Sequence, residues 1–253
     1  MTFVKQFKKL ALCTFIATSL VSCDVLTQLP SAGIGGPMGS TDTGSISNSE
    51  AASGIKQALG QGLEKSIQTL AVRDGFLGNA AVKILMPPEA QQIERTLRGI
   101  GLGSLVDNFI TNLNRAAESA VKEASPVFMS ALSQLTVRDA FDILLSGQQD
   151  AATNFFRRTT SDQLVGKFSP IVEKAIGDHH VTRYWTELIT RYNQIPLVNE
   201  KVETDLTKYV TERAIDGLFL QVAKEELNIR HNIGGSRSTP LIEKVFDWAD
   251  QQK

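Results

Sequence analysis

From residue 47 to the end of the chain, apolar residues recur at intervals of three and four rather than two. That is the period of a helix with one buried face. The first stripe is Ile55, Leu59, Leu63, Ile67 and Leu70. It starts behind Ser47 and Glu50, whose spacing predicts a capping box in which each side chain satisfies a free backbone N–H of the other residue. Gly54, Gly60 and Gly62 cost this helix about 1 kcal/mol each against alanine, which points to another backbone packed close by or to a helix that exists only when packed.

A second helix follows Pro88, with Ile93, Leu97 and Ile100 on one face. A third runs from about Ser104 through Leu105, Phe109, Leu113 and Val121, and Pro126 separates it from a short helix ending at Leu135. Thr136 with Asp139 starts another, with Phe141, Leu144 and Leu145 facing inward until Gly147 stops it. A helix beginning near Asp150 runs into the polar stretch 154–162, where Thr160 or Ser161 is expected to cap a new helix carrying Leu164, Phe168, Ile171 and Val172. Tyr184, Trp185, Leu188, Ile189 and Tyr192 mark the next, followed by a loop from Ile195-Pro196 to about Glu203. The longest helix is expected from about Asp205, with Leu206, Val210, Ala214, Leu218 and Val222 inward, until Gly234-Gly235 breaks it. Thr239-Pro240 opens the last one. Val82 to Met86 is the single strand-like run; it stops at Pro87-Pro88 and reads as an extended loop. The pattern therefore predicts an all-α fold: one multi-helix bundle over residues 48–253, with no repeat and no heptad run long enough for a coiled coil.

The first 47 residues follow a different logic. Lys5, Lys8 and Lys9 precede an apolar run from Leu10 to Val21, the layout of a secretory leader over residues 1–22. That run is too short to span a bilayer, which takes about 20 apolar residues. Leu20-Val21-Ser22-Cys23 resembles a bacterial lipobox. The resemblance implies cleavage before Cys23 and acylation of its thiol and freed amine; two or three chains make a stable anchor, at about 0.8 kcal/mol per buried methylene. Asp24 resembles the inner-membrane retention signal of enteric-type bacteria, with the outer membrane as the alternative address. Ser, Gly, Thr and Pro dominate from Val25 to Ser47, so residues 23–47 are expected to be a lipid-anchored flexible linker. The expected location is the cell envelope, facing the periplasm.

Charge and cysteine count narrow the functional classes. The chain holds 26 basic and 27 acidic residues, and loss of the leader removes three lysines and no acid. A mildly acidic surface speaks against nucleic acid and against a polybasic membrane-binding face. Of the two cysteines, Cys13 leaves with the leader and Cys23 takes the lipid, so no disulfide framework is expected.

Several short words appear in a recognisable order. They are Asp74-Gly75-Phe76, Val82-Lys83-Ile84 with Pro87, Asn114-Arg115-Ala116-Ala117-Glu118, and Asp150-Ala151-Ala152-Thr153. Further on stand Phe156-Arg157-Arg158-Thr159-Thr160-Ser161, Phe168 to Ile171-Val172, Asp216-Gly217-Leu218-Phe219, Glu225-Glu226 and Ile229-Arg230. Together, from about Glu50 to Phe246, they resemble the bacterial domain-of-unknown-function family 4197, whose members are often envelope lipoproteins. The resemblance implies an all-helical fold and supplies no activity, substrate or catalytic residue. Members usually carry a proline-containing turn after the Ile-Arg pair; here Asn232-Ile233-Gly234-Gly235 stands in its place.

The densest polar constellation is Arg157, Arg158, Thr159, Thr160 and Ser161. Two guanidinium forks beside hydroxyls and the free donors of a helix start suit a phosphate or carboxylate. The competing reading is a structural junction in which the arginines pair with Asp139, Asp150 or Asp162 and the hydroxyls cap helix ends. His179-His180 and His231 stand near acids, but adjacent histidines point apart and a metal needs three or four converging ligands, so no metal is expected. The loop Gly234 to Pro240 lacks the Lys-Ser/Thr ending of a nucleotide loop. No nucleophile elbow, zinc-protease motif or cysteine nucleophile is present, and no catalytic residue or cofactor is assigned.

Three functional readings follow, in order. The first is a non-catalytic binding or interaction module, tied to the membrane through Cys23, with an envelope protein as partner and no role for nucleic acid. The second is a carrier of a small apolar or anionic ligand in a helical pocket. The third is an enzyme of unrecognised type. What separates them is whether Arg157, Asp74 and Asp216 converge on a pocket.

Overall fold

The computed structural model describes residues 46–178, 180–195 and 204–252. The leader, Cys23, nearly all of the linker, His179 and most of the loop after Ile195 lie outside the described residues. Nine α-helices occur among them, with no strand. They are α1 (Asn48–Leu70), α2 (Gln91–Gly99), α3 (Gly103–Val121), α4 (Ala124–Gln134), α5 (Val137–Leu145), α6 (Ala151–Asp178), α7 (Val181–Asn193), α8 (Leu206–Arg230) and α9 (Pro240–Asp250). A single 3-10 turn, Pro88–Ala90, leads into α2. The fold is all-α, as the periodicity predicts.

Most helix starts form for the expected reasons. Ser47 and Glu50 make the reciprocal capping box on α1, and Thr136 and Asp139 make another on α5. The Asp205 side chain accepts from the backbone N–H of Lys208 at 2.9 Å to start α8, and Thr239 caps α9 with Pro240 next to it. Glu50 also receives a hydrogen bond from Lys244 of α9 at 3.0 Å. That bond, followed by those from Ser47, lowers the Glu50 carboxyl from 4.5 to about 2.

Four expectations change. Arg157 to Ser161 do not separate two helices: α6 runs unbroken for 28 residues. The reason is a buried stripe of period four, Ala152, Phe156, Thr160, Leu164, Phe168, Val172 and Ile176, that passes straight through Thr160. Its hydroxyl donates to the Phe156 carbonyl at 2.6 Å, so Thr160 is buried as a helix-interior residue and not as a cap. This also makes α6, rather than the 25-residue α8, the longest helix. Pro126 lies in the first turn of α4, where its missing N–H costs no intrahelical bond. Ile100 and Leu145 stand at helix ends and are 57% and 42% exposed, not turned inward as expected.

The interior is continuous. Phe128, Phe156 and Phe219 from α4, α6 and α8 meet edge-to-face, with centroids 5.9 Å and 6.0 Å apart. Gly54 meets the expectation of a close approach, because a Cβ there would lie 2.6 Å from a Val245 methyl and 3.3 Å from the Leu241 backbone carbonyl of α9. Two apolar cavities reach into this core, one beside Ile143 and Phe246 and one beside Ala152 and Val222. Each has about 20 Å³, room for one water and not for a lipid chain.

Candidate functional site

Residues 71–87 contain no helix, so their position depends on side chains from the surrounding bundle. Asp74 turns the chain with a positive φ of 68°, and Phe76 behind it is fully buried. On α3, the buried carboxylate of Glu118 accepts from the N–H groups of Phe76 and Leu77 at 3.2 Å and 3.4 Å. Arg115 joins Glu118 at 2.6 Å and reaches Asp74 at 2.7 Å. Next to Arg115, the buried Asn114 amide accepts from the Ile84 N–H at 2.9 Å and donates to the Ile84 carbonyl at 2.8 Å. Asn114 thus stands in for a neighbouring strand and keeps Val82 to Met86 extended, with Val82, Ile84 and Met86 buried and Lys83 and Leu85 exposed. On the other side, Gly217 of α8 is bare where a Cβ would come within 2.7 Å of the Phe76 ring.

The start of α6 is fixed by a second latch. Glu226 of α8 accepts from the N–H groups of Ala152 and Thr153 at 2.9 Å and 2.8 Å and from the Thr153 hydroxyl at 2.8 Å. Free helix-terminal donors next to a carboxylate are a favourable arrangement. Arg230, also buried, neutralises that carboxylate at 2.8 Å and donates to the Ile143 carbonyl at 2.9 Å.

Between the pinned segment, the first turns of α6 and the outer face of α8 lies an open groove of about 620 Å³. In it Arg157 of α6 and Arg213 of α8 approach the two oxygens of Asp216, at 3.1 Å and 3.0 Å. The Arg157 guanidinium lies 4.6 Å above the Phe219 ring centroid, which orients it. Lys83 adds a third cation to the lining and Asp150 a second acid. Two exposed apolar side chains, Leu85 and Leu220, also line the groove. The Tyr209 hydroxyl donates to the Leu85 carbonyl at 3.2 Å, and burial raises its pKa, so it stays a proton donor. Each guanidinium has five N–H donors, and one carboxylate cannot occupy all of them. Two cations around one acid leave local positive charge on a chain that is otherwise mildly acidic.

The structure sorts the sequence-derived candidates. Of Arg157, Arg158, Thr159, Thr160 and Ser161, Arg157 lines the groove. Arg158 lies over the Phe155 ring, 5.8 Å from its centroid. Thr159, Thr160 and Ser161 donate to the carbonyls four residues back within α6, so no helix start is present there to offer free donors. The partner of Arg157 is Asp216 rather than Asp139, Asp150 or Asp162. Arg157 and Asp216 converge; Asp74 pairs with Arg115 instead. Arg213 and Tyr209 belong to no motif in the sequence, and Lys83 stands there as part of an extended run, not as a site residue. Arg213 and Asp216 are spaced i, i+3, a detectable pair, but nothing local signals their meeting with α6. Among the described residues, no group of three or more His, Cys, Asp or Glu is placed to hold a metal ion. The Gly234–Pro240 loop is a junction: Arg237, with 6% side-chain exposure, binds Asp247 and Asp250 of α9 and the carbonyls of Ile229 and Arg230.

The molecule is thus a helical domain with one face shaped into an open groove that presents paired guanidinium groups. It belongs to the family described as Protein of unknown function (DUF4197), which it matches over residues 45–247. No curated protein and no solved structure matches it. The groove gathers residues from four of the words that carry the resemblance, while Asn114, Glu118, Glu226 and Arg230 from others form the latches around it. No helix among the described residues is long and apolar enough to cross a membrane.

Proposed function

We propose that this chain is a lipid-anchored protein of the cell envelope, that its helical domain is a non-catalytic binding module, and that the groove is where it binds. The observation that carries the binding role is the convergence of Arg157 and Arg213 on Asp216 beside the exposed Leu85 and Leu220. Guanidinium forks recognise carboxylates and phosphates, and flanking apolar groups add contact area. The ligand is accordingly anionic where it meets the arginines and apolar beside them. An anionic ligand also agrees with the second reading in its surface form, whereas the small core cavities give no support to an enclosed apolar cargo. The leader and the lipobox-like end at Cys23 support the anchor and, with it, a groove that faces the periplasm.

Two experiments test this. Labelled palmitate should enter the wild-type protein and not Cys23→Ser, which should leave the membrane fraction. In cells, a photo-crosslinking residue at Leu220 should form adducts that one at Val165, an exposed position of α6 outside the groove, does not. Those adducts should vanish in Arg157→Ala. Equal adducts at both positions would remove the groove from the proposal.

A further inference from the structure

We infer that the groove takes an extended peptide bearing a carboxylate, which adds to the edge of Val82–Met86 and places its acid on Arg157 and Arg213. The inference rests on the binding role proposed above and names the ligand class. It starts from backbone groups. Within the extended segment the N–H and C=O of successive residues point to opposite sides. Ile84 turns both of its groups toward α3, where Asn114 pairs with them at 2.9 Å and 2.8 Å. The Lys83 C=O and both groups of Leu85 therefore turn toward the opposite side, while the Lys83 N–H is taken within the preceding turn by the Asn79 carbonyl at 2.9 Å. The Leu85 carbonyl confirms this by meeting the Tyr209 hydroxyl of α8, and Tyr209 lines the groove.

On that edge, the Lys83 carbonyl and the Leu85 N–H have no hydrogen-bond partner among the described residues. An acceptor and a donor flanking one residue form the half-ladder of a parallel strand pair. One residue of an incoming chain donates to the first group and accepts from the second. Main-chain pairing of this kind is a recurring mode of peptide recognition. An acyl chain or an inorganic anion offers no such alternation of donor and acceptor, which is why the observations favour a peptide over a lipid headgroup or free phosphate.

The side chains fit the same occupant. Leu85 and Leu220 are 56% and 49% exposed, apolar surface that an occupant of the groove would cover. Asp216 keeps the two guanidinium groups together without consuming their donors, so an acidic residue of the peptide finds prepared partners.

The test is a titration of the purified protein, followed by the backbone amide signal of Leu85 and the side-chain Nε–Hε signals of Arg157 and Arg213. The probes are pools of N-acetylated, C-amidated pentapeptides with Glu at the central position and all other positions mixed. The expected result is movement of all three signals, with affinity lower by about tenfold or more when the central Glu is replaced by Gln. N-methylation next to the acid should abolish the Leu85 response. Arg157→Gln should weaken the Glu pool and leave the Gln pool unchanged. If inorganic phosphate or dodecyl phosphate moves the arginine signals while no peptide pool moves Leu85, the anion-binding role stands and the peptide is overturned. If none of the probes moves the arginines, both fall.

Discussion

Removing the Glu226 carboxylate separates the latch from the rest of the bundle. Glu226 and Arg230 have side-chain exposures of 6% and 7%, and their 2.8 Å pair is the neutral unit that lets both be buried. Glu226→Leu leaves the guanidinium buried without its partner, which costs about 3–5 kcal/mol. The N–H groups of Ala152 and Thr153 lose their acceptor at the same time, adding about 1 kcal/mol as for a missing helix cap. A domain of this size loses roughly 2–4 °C of melting temperature per kcal/mol, so the expected drop is roughly 10–20 °C. The double substitution Glu226→Leu with Arg230→Met removes the stranded charge and should recover about 2–3 kcal/mol of the loss. Urea unfolding followed by far-ultraviolet circular dichroism measures the wild type and both variants. A single variant that loses less than about 1 kcal/mol, or a double variant no more stable than the single one, would refute the latch.

Four further outcomes follow from the same structure. Gly217→Ala drives a methyl to within 2.7 Å of the Phe76 ring and should cost about 1–3 kcal/mol in denaturant unfolding, whereas Gly166→Ala, open on α6, should stabilise by about 0.5–1 kcal/mol. Asn114→Ala strips Ile84 of both backbone partners and should make residues 79–87 the first site cut in limited proteolysis, ahead of any helix. Lowering of the Glu50 carboxyl from 4.5 to about 2 means that the folded state binds fewer protons between those values than the unfolded state. Stability from this group is therefore complete above about pH 4.5 and falls as the pH drops toward 2; Glu50→Gln should flatten that part of an acid-unfolding curve. Arg213→Ala should leave the melting temperature within about 2 °C of wild type, because an ion pair that is half exposed contributes little, while removing crosslinks from Leu220.

What the chain disclosed in advance follows from the range of the forces involved. Capping by Ser47, Thr136, Asp205 and Thr239 acts within a turn, so it is written in adjacent residues and the structure agrees. The apolar stripe reports burial within one helix, and it located every helix of the bundle. It was misread at Thr160, where a hydroxyl bonded to its own helix behaves as a core residue but looks like a cap. Arg157 was visible as part of a polar cluster, yet its neighbours in sequence point elsewhere, since four successive helix positions sweep once around the axis. Its true neighbours, Asp216 and Phe219, come from a helix about sixty residues downstream, and no local spacing encodes that meeting. The same holds for Glu226: a carboxylate capping another helix cannot be told from an ordinary surface acid until both helices are placed.

In the proposed function, the groove between residues 81–91, α6 and α8 receives an anionic group on Arg157 and Arg213. The most direct measurement is the side-chain nitrogen spectrum of these two arginines while the partner captured in cells through Leu220 is added back to the purified protein. Both Nε–Hε signals should shift and saturate together, and Asp216→Asn should change them before any partner is present. Saturable binding that leaves both signals in place would contradict the proposal.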